Sequence, residues 1–327
     1  MIKRCTLMMR VLFLALCAVM LVAPQARAEY PDQTIKFVVP FPAGGSTDIA
    51  ARLIAEQLSQ RLGVTIVIDN QPGASGLIGA SSVVRAKPDG YTFLVTSNGI
   101  HSAAATGTAN FDLKTDLVPV SQIVGGALML VGSKEAPFDT IQGFVEYAQK
   151  DPDKVNIAIN AALGSAHMAF ERFRRMVKIE YQPIFYPGES PSLAALVSGE
   201  SAVGIISAPA ARALVEDGKV NGLAVTTQER FALLPNIPTL NETVAPGYAD
   251  GYSTVIFAPK GTPNDIVQKM SREIAEVVRQ PETAKKLLEL GLTAMGSTPE
   301  EYAAIVAADF DRNVTLIAEL RASGLAE

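Results

Sequence analysis

Short apolar runs alternate with amphipathic segments along this chain. Residues 35–39 form a β-rich run, and residues 48–62 then repeat apolar side chains at helical spacing up to Gly63, which is typical of a helix end. The same patterns predict strands at 64–68, 91–95, 155–159, 203–206 and 223–226, and helices at 77–86, 140–149 and 166–176. This alternation predicts an α/β fold with largely parallel sheets and helices on both faces.

Proline marks three further helix starts. Pro191 is expected at the first position of a helix, where its missing N–H does no harm. Thr262-Pro263-Asn264-Asp265 predicts an N-cap threonine followed by an N1 proline. Thr298-Pro299-Glu300-Glu301 repeats the pattern as a capping box. The two C-terminal helices each carry an apolar stripe, so we expect them to pack onto one of the domains.

The length of the chain suits two domains. An apolar stretch at 117–132 is expected to cross from one domain to the other, and the return is expected near residues 252–258. These crossings predict a discontinuous first lobe, residues 29–129 plus 252–327, and an inserted second lobe, residues 130–251. Two hinge strands and a cleft would then lie between the lobes.

The N-terminal segment has the pattern of an export signal. A basic region is followed by the uncharged apolar run 11–22 and by Ala26-Arg27-Ala28, which predicts cleavage after Ala28 and a periplasmic mature protein. A retained N-terminal anchor is the alternative, although the apolar run is short for a membrane span. A lipoprotein would need a small residue before Cys17, and Leu16 stands there.

Composition narrows the classes of function. Both cysteines, Cys5 and Cys17, lie in the signal, so the mature chain has no disulfide framework, cysteine nucleophile or thiolate metal site. The signal also holds four of the 28 basic residues and none of the 33 acidic ones. The mature chain is therefore clearly acidic, which argues against nucleic acid as a partner.

Five turns rich in Gly, Ser, Asn and Pro follow predicted strands. Ligands of open α/β sheets lie at the carboxyl ends of strands, where helix N-termini offer free N–H groups to anions. None of the turns contains Lys or Arg, so we expect a weakly charged group such as a carboxylate. The alternative interpretation is that these are ordinary turns and N-caps. The turns are residues 41–47, 96–99, 160–165, 187–190 and 207–209.

Three ionisable side chains could serve such a site. Asp48 lies in the first turn of its helix and either caps that helix or orients the loop and contacts the ligand. His167 lies just inside a helix start, where the dipole favours its neutral, hydrogen-bonding form. His101 is interpreted as structural.

Enzymatic interpretations find little support. A triad could be drawn from Ser46, His167 and Asp48, but no Gly-x-Ser-x-Gly elbow accompanies it. No His-Glu-x-x-His pattern or ligand cluster suggests a metal, and no cofactor is expected. Trp is absent, which makes stacked sugar recognition a poor fit.

An ordered set of motifs resembles the Bug-type (TctC-type) extracytoplasmic solute receptors of tripartite tricarboxylate transporters. The matching stretches span nearly all of residues 30–327. They include Val38 to Asp48, Asn70 to Gly76, Lys87 to Thr92, Gly164 to His167, Leu223 to Thr226, Leu234 to Thr239 and Ala258 to Pro263.

The resemblance implies a periplasmic binding protein of type II-like fold whose two lobes close on a small organic anion, mostly a carboxylate. It implies a large and a small integral membrane subunit as partners. It also implies these ligand-binding residues: Phe41, Gly44, Gly45, Ser46, Thr47, Asp48, Ser97, Asn98, Asn160, Ala162, Gly164, Ser165, His167, Tyr186, Gly188 and Ser207.

Three departures from the family pattern concern the ligand. The loop that commonly reads Pro-Tyr-Lys-Gly reads Phe185-Tyr186-Pro187-Gly188 here, an acid common near Ser207 is a hydroxyl, and the usual Trp near Tyr252 is missing. The loss of the Lys and of the acid from one rim suggests a less polar or differently charged tail on the ligand. A receptor that signals to a membrane sensor, or an exported enzyme on the same scaffold, remain the alternative functions.

Overall fold

Two β-sheets form the framework of the protein. The structure is a computed structural model and describes residues 30–160, 162–186 and 189–322, with residues from Gln33 onward in one compact unit. The strands are β1 (Ile35–Val39), β2 (Ile66–Asn70), β3 (Thr92–Ser97), β4 (Leu117–Gly126), β5 (Leu128–Ser133), β6 (Asn156–Ile159), β7 (Gln182–Phe185), β8 (Val203–Ser207), β9 (Val220–Val225), β10 (Tyr252–Pro259) and β11 (Leu292–Ala294).

Helices cover the faces of both sheets. They are α1 (Ser46–Leu62), α2 (Leu77–Val84), α3 (Gly99–Ala105), α4 (Leu113–Asp116), α5 (Ile141–Lys150), α6 (Ser165–Val177), α7 (Glu189–Ser198), α8 (Ala208–Glu216), α9 (Asn264–Arg279), α10 (Pro281–Glu289) and α11 (Pro299–Ala322), with 3-10 turns at Ala74–Gly76 and Pro152–Lys154. The first sheet has the order β11-β4-β10-β3-β1-β2 and the second β7-β6-β8-β5-β9.

Strand direction differs from the sequence-based expectation. The α/β class with two sheets is confirmed, but both sheets are mixed rather than largely parallel. Strands β1–β3 and β6–β8 contribute the parallel pairs, while β4, β5, β9, β10 and β11 pair antiparallel. The chain passes directly from β4 in the first sheet to β5 in the second, and each of these strands pairs antiparallel within its own sheet, β4 with β10 and β11 and β5 with β8 and β9.

Each sheet is buried between apolar layers. In the first sheet, Phe37 and Phe93 pack with Ile54 of α1 and Ile274 of α9 on one face. The opposite face packs against Tyr302 and Val306 of α11, among others. In the second sheet, one face packs on α5 and α6 and the other on α7 and α8. Burial on both faces explains why the strands read as continuous apolar runs.

Two chain connections link the sheets at one place. The first passes from β4 to β5 at Ala127, and the second enters β10 at Tyr252. A Cβ atom on Gly251 would lie 2.7 Å from the Gly126 carbonyl oxygen, and one on Gly126 would lie 2.2 Å from the Tyr252 ring. A side chain at either position would clash with the other connection, so both positions require glycine.

Several helix boundaries differ from the predictions. Helix α1 begins at Ser46 rather than residue 48, and β2 occupies 66–70 rather than 64–68. Helix α7 begins at Glu189, two residues before Pro191, so the prediction that Pro191 opens it is wrong. Pro263 is the N-cap of α9 rather than its first residue, because the Thr262 hydroxyl donates to the Pro259 carbonyl instead.

Two local predictions are confirmed. The capping box of α11 has the Thr298 hydroxyl accepting from Glu301 N–H at 3.2 Å and the Glu301 carboxylate accepting from Thr298 N–H at 2.9 Å. Gly63 ends α1 in the left-handed conformation. Among the helices of the described residues, none is long and apolar enough to span a membrane. The predicted signal, residues 1–28, lies outside the described residues.

Candidate ligand-binding site

A cavity of about 400 Å³ lies where loops from the two sheets meet. We call it the inner cavity. Its walls combine hydroxyl groups, backbone amides and a few apolar side chains. It is lined by Phe41, Pro42, Ala43, Gly45, Ser46, Thr47, Ser97, Leu128, Asn160, Ser165, Ala166, Glu189, Ser207 and Tyr252.

A second space of about 390 Å³, which we call the outer cavity, shares four lining residues with the inner one: Phe41, Ser97, Asn160 and Ser165. It adds apolar side chains, among them Leu77 and Leu163, and the hydroxyls of two threonines. Because the two spaces share a wall, a ligand anchored in the inner cavity could extend an apolar part outward.

Residues 43–48, which we call loop A, form one wall of the inner cavity. Gly44 has φ +86° and Gly45 is extended, and α1 then begins at Ser46 without a side-chain N-cap. The Ser46 hydroxyl therefore does not cap the helix, and both Ser46 and Thr47 line the cavity. A helix N-terminus of this kind presents N–H groups suited to an anion.

Asp48 supports loop A from behind. It is 1% exposed and does not line the cavity. One of its oxygens accepts from Gly44 N–H at 2.8 Å and from Arg52 at 2.9 Å, and the other accepts from Asn70 at 2.9 Å. Burial by itself raises the pKa of Asp48, but the hydrogen bonds and the Arg52 charge outweigh it and lower the pKa to about 2. The geometry favours the loop-orienting interpretation of Asp48.

Residues 162–167, which we call loop B, repeat this arrangement in the second sheet. Leu163 has φ +56°, Gly164 is extended, and α6 begins at Ser165 without a side-chain N-cap. Ser165 lines both cavities, and Ala162 and Gly164 line the outer one. The two helix starts therefore face the same space from two different sheets.

His167 is the counterpart of Asp48. Its Nδ1 accepts from Leu163 N–H at 2.9 Å, so its proton lies on Nε2, which is 3.1 Å from the Tyr181 hydroxyl. That hydroxyl donates to Glu171, which also binds Arg174. Burial lowers the pKa of His167 to about 4, with the Glu171 charge acting against the shift and Arg174 with it. His167 is fully buried and neutral, as predicted, and supports loop B without lining either cavity.

Asn98 contacts one of the strand connections rather than lining the cavities just described. Its side-chain amide donates to the Gly251 carbonyl at 3.1 Å and accepts from Ser253 N–H at 3.1 Å. It lines a separate space of about 630 Å³ beside the strand connections. Its neighbour Ser97 does line the inner and outer cavities.

The remaining residues predicted from the sequence lie in different places in the structure. The Ser207 side chain lines the inner cavity. The Tyr186 hydroxyl bonds to Glu200 and Ser201 at 3.0 and 3.1 Å and does not line the inner or outer cavity. Gly188 lies outside the described residues. His101 is buried between Asp309 and Tyr302, in keeping with its interpretation as structural.

Sequence reasoning did not name six of the residues that line the inner cavity, of which Pro42, Ala43 and Ala166 lie in or beside loops that it did single out. Leu128 and Tyr252 come from the two strand connections, which the residue pattern located without showing which side chains turn inward. Glu189 belongs to one of the five turns but was not singled out. The sequence could have pointed to Glu189 because it lies near a helix start and two residues after Pro187, where the loop differs from the family pattern.

Charge in the two cavities is sparse. Among the described residues that line them there is no Lys or Arg, and Glu189 is the one charged side chain. No group of His, Cys, Asp or Glu in the described part of the chain could hold a metal ion. The inner cavity is thus equipped for neutral hydrogen bonding by hydroxyls and helix N-termini.

Two α/β sheets joined by paired connections, with a cavity at the strand ends, define the architecture of a two-lobed periplasmic binding protein. The family described as "tripartite tricarboxylate transporter family receptor" matches residues 50–322. The chain belongs to this family, which confirms the resemblance seen in its motifs.

Similar proteins match over most of their length. The chain is 32% identical over 295 residues to a Pseudomonas sp. strain P51 protein, "UPF0065 protein in tcbD-tcbE intergenic region", covering 89% of this chain and 88% of the relative. The structure "R. palustris Rpa4515 with adipate" has a TM-score of 0.77 and 34% identity, covering 88% and 97% of the two chains. MatC from Rhodopseudomonas palustris with bound malate has a TM-score of 0.75 and 29% identity, covering 88% and 100%.

Proposed function

We propose that this protein is a periplasmic solute receptor that captures a small organic carboxylate in the inner cavity. The observation that carries the proposal is the pair of helix starts, at Ser46 and Ser165, which face one cavity with their hydroxyl groups uncommitted to capping. Neutral N–H and O–H donors of this kind hold a carboxylate without an ion pair. Solved relatives with adipate and with malate support the class of ligand.

Closure on the ligand is part of the proposal. The lobes would be residues 29–129 plus 252–327, and residues 130–251, hinged at the two connections. Support comes from the strand order, because β5 and β9 belong to the second sheet while β4 and β10 belong to the first. A carboxylate that contacts Ser46 and Ser165 together binds both lobes, and this double contact would favour the closed state.

The proposed site residues fall into two groups, those that would contact the ligand and those that would position the contacting residues. Phe41, Gly45, Ser46, Thr47, Ser97, Asn160, Ala162, Gly164, Ser165 and Ser207 would contact ligand, since each lines a cavity. Gly44, Asp48, Asn98 and His167 would position the residues that do.

Delivery to a membrane transporter completes the proposed function. The family description names the tripartite tricarboxylate transporter, whose membrane subunits would be the partners. Export would depend on residues 1–28, with cleavage after Ala28. Mass spectrometry of protein recovered from the periplasm checks this directly, because a mature chain beginning at Glu29 is expected.

The binding test uses the mature chain, residues 29–327, refolded free of co-purified ligand. Isothermal titration against mono-, di- and tricarboxylates and amino acids is expected to reveal binding, and Ser165→Ala and Asn160→Ala are each expected to weaken it by roughly 1–3 kcal/mol. Ser198→Ala, at the end of α7 and outside both cavities, is the matched control. Unchanged affinity in both site variants would contradict this placement of the site.

A further inference from the structure

Glu189 stands out in a cavity otherwise built for an anion. It is the one charged side chain among the described residues that line the inner or outer cavity. A ligand with a carboxylate at each end would bring one of them toward this like charge without a cation to separate them. Like charges brought together in a partly desolvated site repel strongly.

The position of Glu189 is fixed by the neighbouring helix. Its Oε1 accepts from the backbone N–H of Ser207 at 2.9 Å, and Ser207 is the N-cap of α8. The protein's own carboxylate therefore occupies the N-terminal end of α8, where a ligand carboxylate could otherwise bind. The anionic end of the ligand is left with the starts of α1 and α6.

Glu189 also acts electrostatically on a second residue of the cavity. Tyr252 lines the same space, and its pKa is raised first by burial and then by the charge of Glu189. The carboxylate thus lies near the hinge, while Ser46 and Ser165 lie at the two helix starts. The inner cavity thus combines the donors of two helix starts with a single negative charge among its described lining residues.

We propose that Glu189 makes this receptor selective for ligands that carry an ammonium group as well as a carboxylate. The inference rests on the proposed function, since it names the ligand class of the same cavity. The ligand carboxylate would bind the starts of α1 and α6, and its ammonium group would donate to Glu189. Amino acids and ω-amino acids have this chemistry, whereas simple dicarboxylates do not.

The test compares ligands that differ only in the second charged group. Suitable pairs are glutarate with γ-aminobutyrate, adipate with δ-aminovalerate, and valerate with norvaline, each titrated calorimetrically into the refolded mature chain. The ammonium-bearing member of at least one pair is expected to bind about tenfold tighter or more than its partner, because hydrogen bonds between charged groups are the strong ones. Equal or tighter binding of the partner in every pair overturns the inference.

The variant Glu189→Gln separates selectivity from structure. Its amide oxygen can still accept from Ser207 N–H, so a purely capping role would leave the ratio of the two affinities unchanged. We expect Glu189→Gln to bind the two members of a pair with similar affinity, and its melting temperature to be unaltered. Glu200→Gln is the matched control, because Glu200 lies outside both cavities and bonds to Tyr186.

The outcomes also distinguish this inference from the proposed function. If carboxylates bind but the ratio is the same in the parent and in Glu189→Gln, only the selectivity of Glu189 is overturned. If no carboxylate of any pair or of the wider series binds, the proposed function itself fails and the inference fails with it.

Discussion

Loop A and loop B perform the same task with different chemistry. In each, a residue with positive φ is followed by an extended glycine and then by a helix that begins with serine. In each, the third helical residue reaches back four positions to accept the N–H of the positive-φ residue. The acceptor is the Asp48 carboxylate in loop A, at 2.8 Å, and the His167 imidazole in loop B, at 2.9 Å.

The surroundings explain the choice of acceptor. Arg52 lies half exposed beside Asp48 and neutralises it, so a carboxylate is tolerated there. The His167 ring is fully buried, with Nε2 at 4.0 Å from the buried carboxylate of Glu171. A second carboxylate at that position would place two negative charges together in the interior, whereas a neutral imidazole avoids this cost. The comparison teaches that the backbone geometry is shared while the electrostatics are local.

The largest effect is expected from removing the loop B acceptor. His167→Leu leaves the Leu163 N–H without its acceptor and the Tyr181 hydroxyl with Glu171 as its remaining partner, and a buried group left unpaired costs roughly 1–3 kcal/mol. We expect a loss of about 3 kcal/mol in the free energy of unfolding, measured by urea denaturation, together with weaker ligand binding.

His101→Leu provides the matched control for that variant. His101 is equally buried and contacts Tyr302 and Asp309, but it lines neither cavity. It is expected to lower stability without the additional loss of affinity. Equal losses of affinity in both variants would mean that His167 acts on general stability alone.

Acid is expected to weaken the loops at different pH values. The pKa of His167 is about 4 in the native protein against 6.5 when unperturbed, so the unfolded chain binds more protons between these values. Stability therefore falls as the pH drops from 6.5 to about 4, by about 3 kcal/mol from this residue. Asp48, with a pKa of about 2 against 3.8, loses its contribution only below that window.

Urea denaturation between pH 6.5 and 4 checks the contribution of His167 to this loss of stability. His167→Gln removes the titrating group, so the free energy of unfolding should fall less steeply between pH 6.5 and 4 than in the parent chain. Identical slopes in the two proteins would show that His167 does not titrate as its burial demands.

The sequence predicted the helix starts that loops A and B share. It did not predict most of the side-chain contacts that hold these loops in place. The Gly-Ser helix starts of loops A and B were readable because turn chemistry and helix periodicity are local properties. Asn98 shows the limit. Its type and position fit a ligand contact, yet its amide bonds to Gly251 and Ser253, which are distant in sequence.

Strand direction and Glu189 were hidden for the same reason. Periodicity locates strands but does not show that β4 pairs antiparallel with β10, or β5 with β8, since these partners are distant in the sequence. The carboxylate of Glu189 reaches Ser207 because α7 and α8 both pack on the same face of the second sheet. Both facts depend on contacts between distant parts of the chain.

The smallest effect is expected at the positive-φ position itself. A Cβ atom on Gly44 would meet nothing within 4 Å, so Gly44→Ala measures backbone strain at φ +86° without a clash. The expected cost is about 1 kcal/mol in the free energy of unfolding. Gly63→Ala is the matched control, because Gly63 has φ +69°, has equally open surroundings and ends α1 far along the chain from loop A. Both should lose similar stability, and only Gly44→Ala should weaken ligand binding, since Gly44 lies in loop A beside the cavity and Gly63 lies at the far end of α1. Equal affinities in the two variants would mean that the shape of loop A at Gly44 does not matter to the ligand, and that the likeness between the loops begins only at their helix starts.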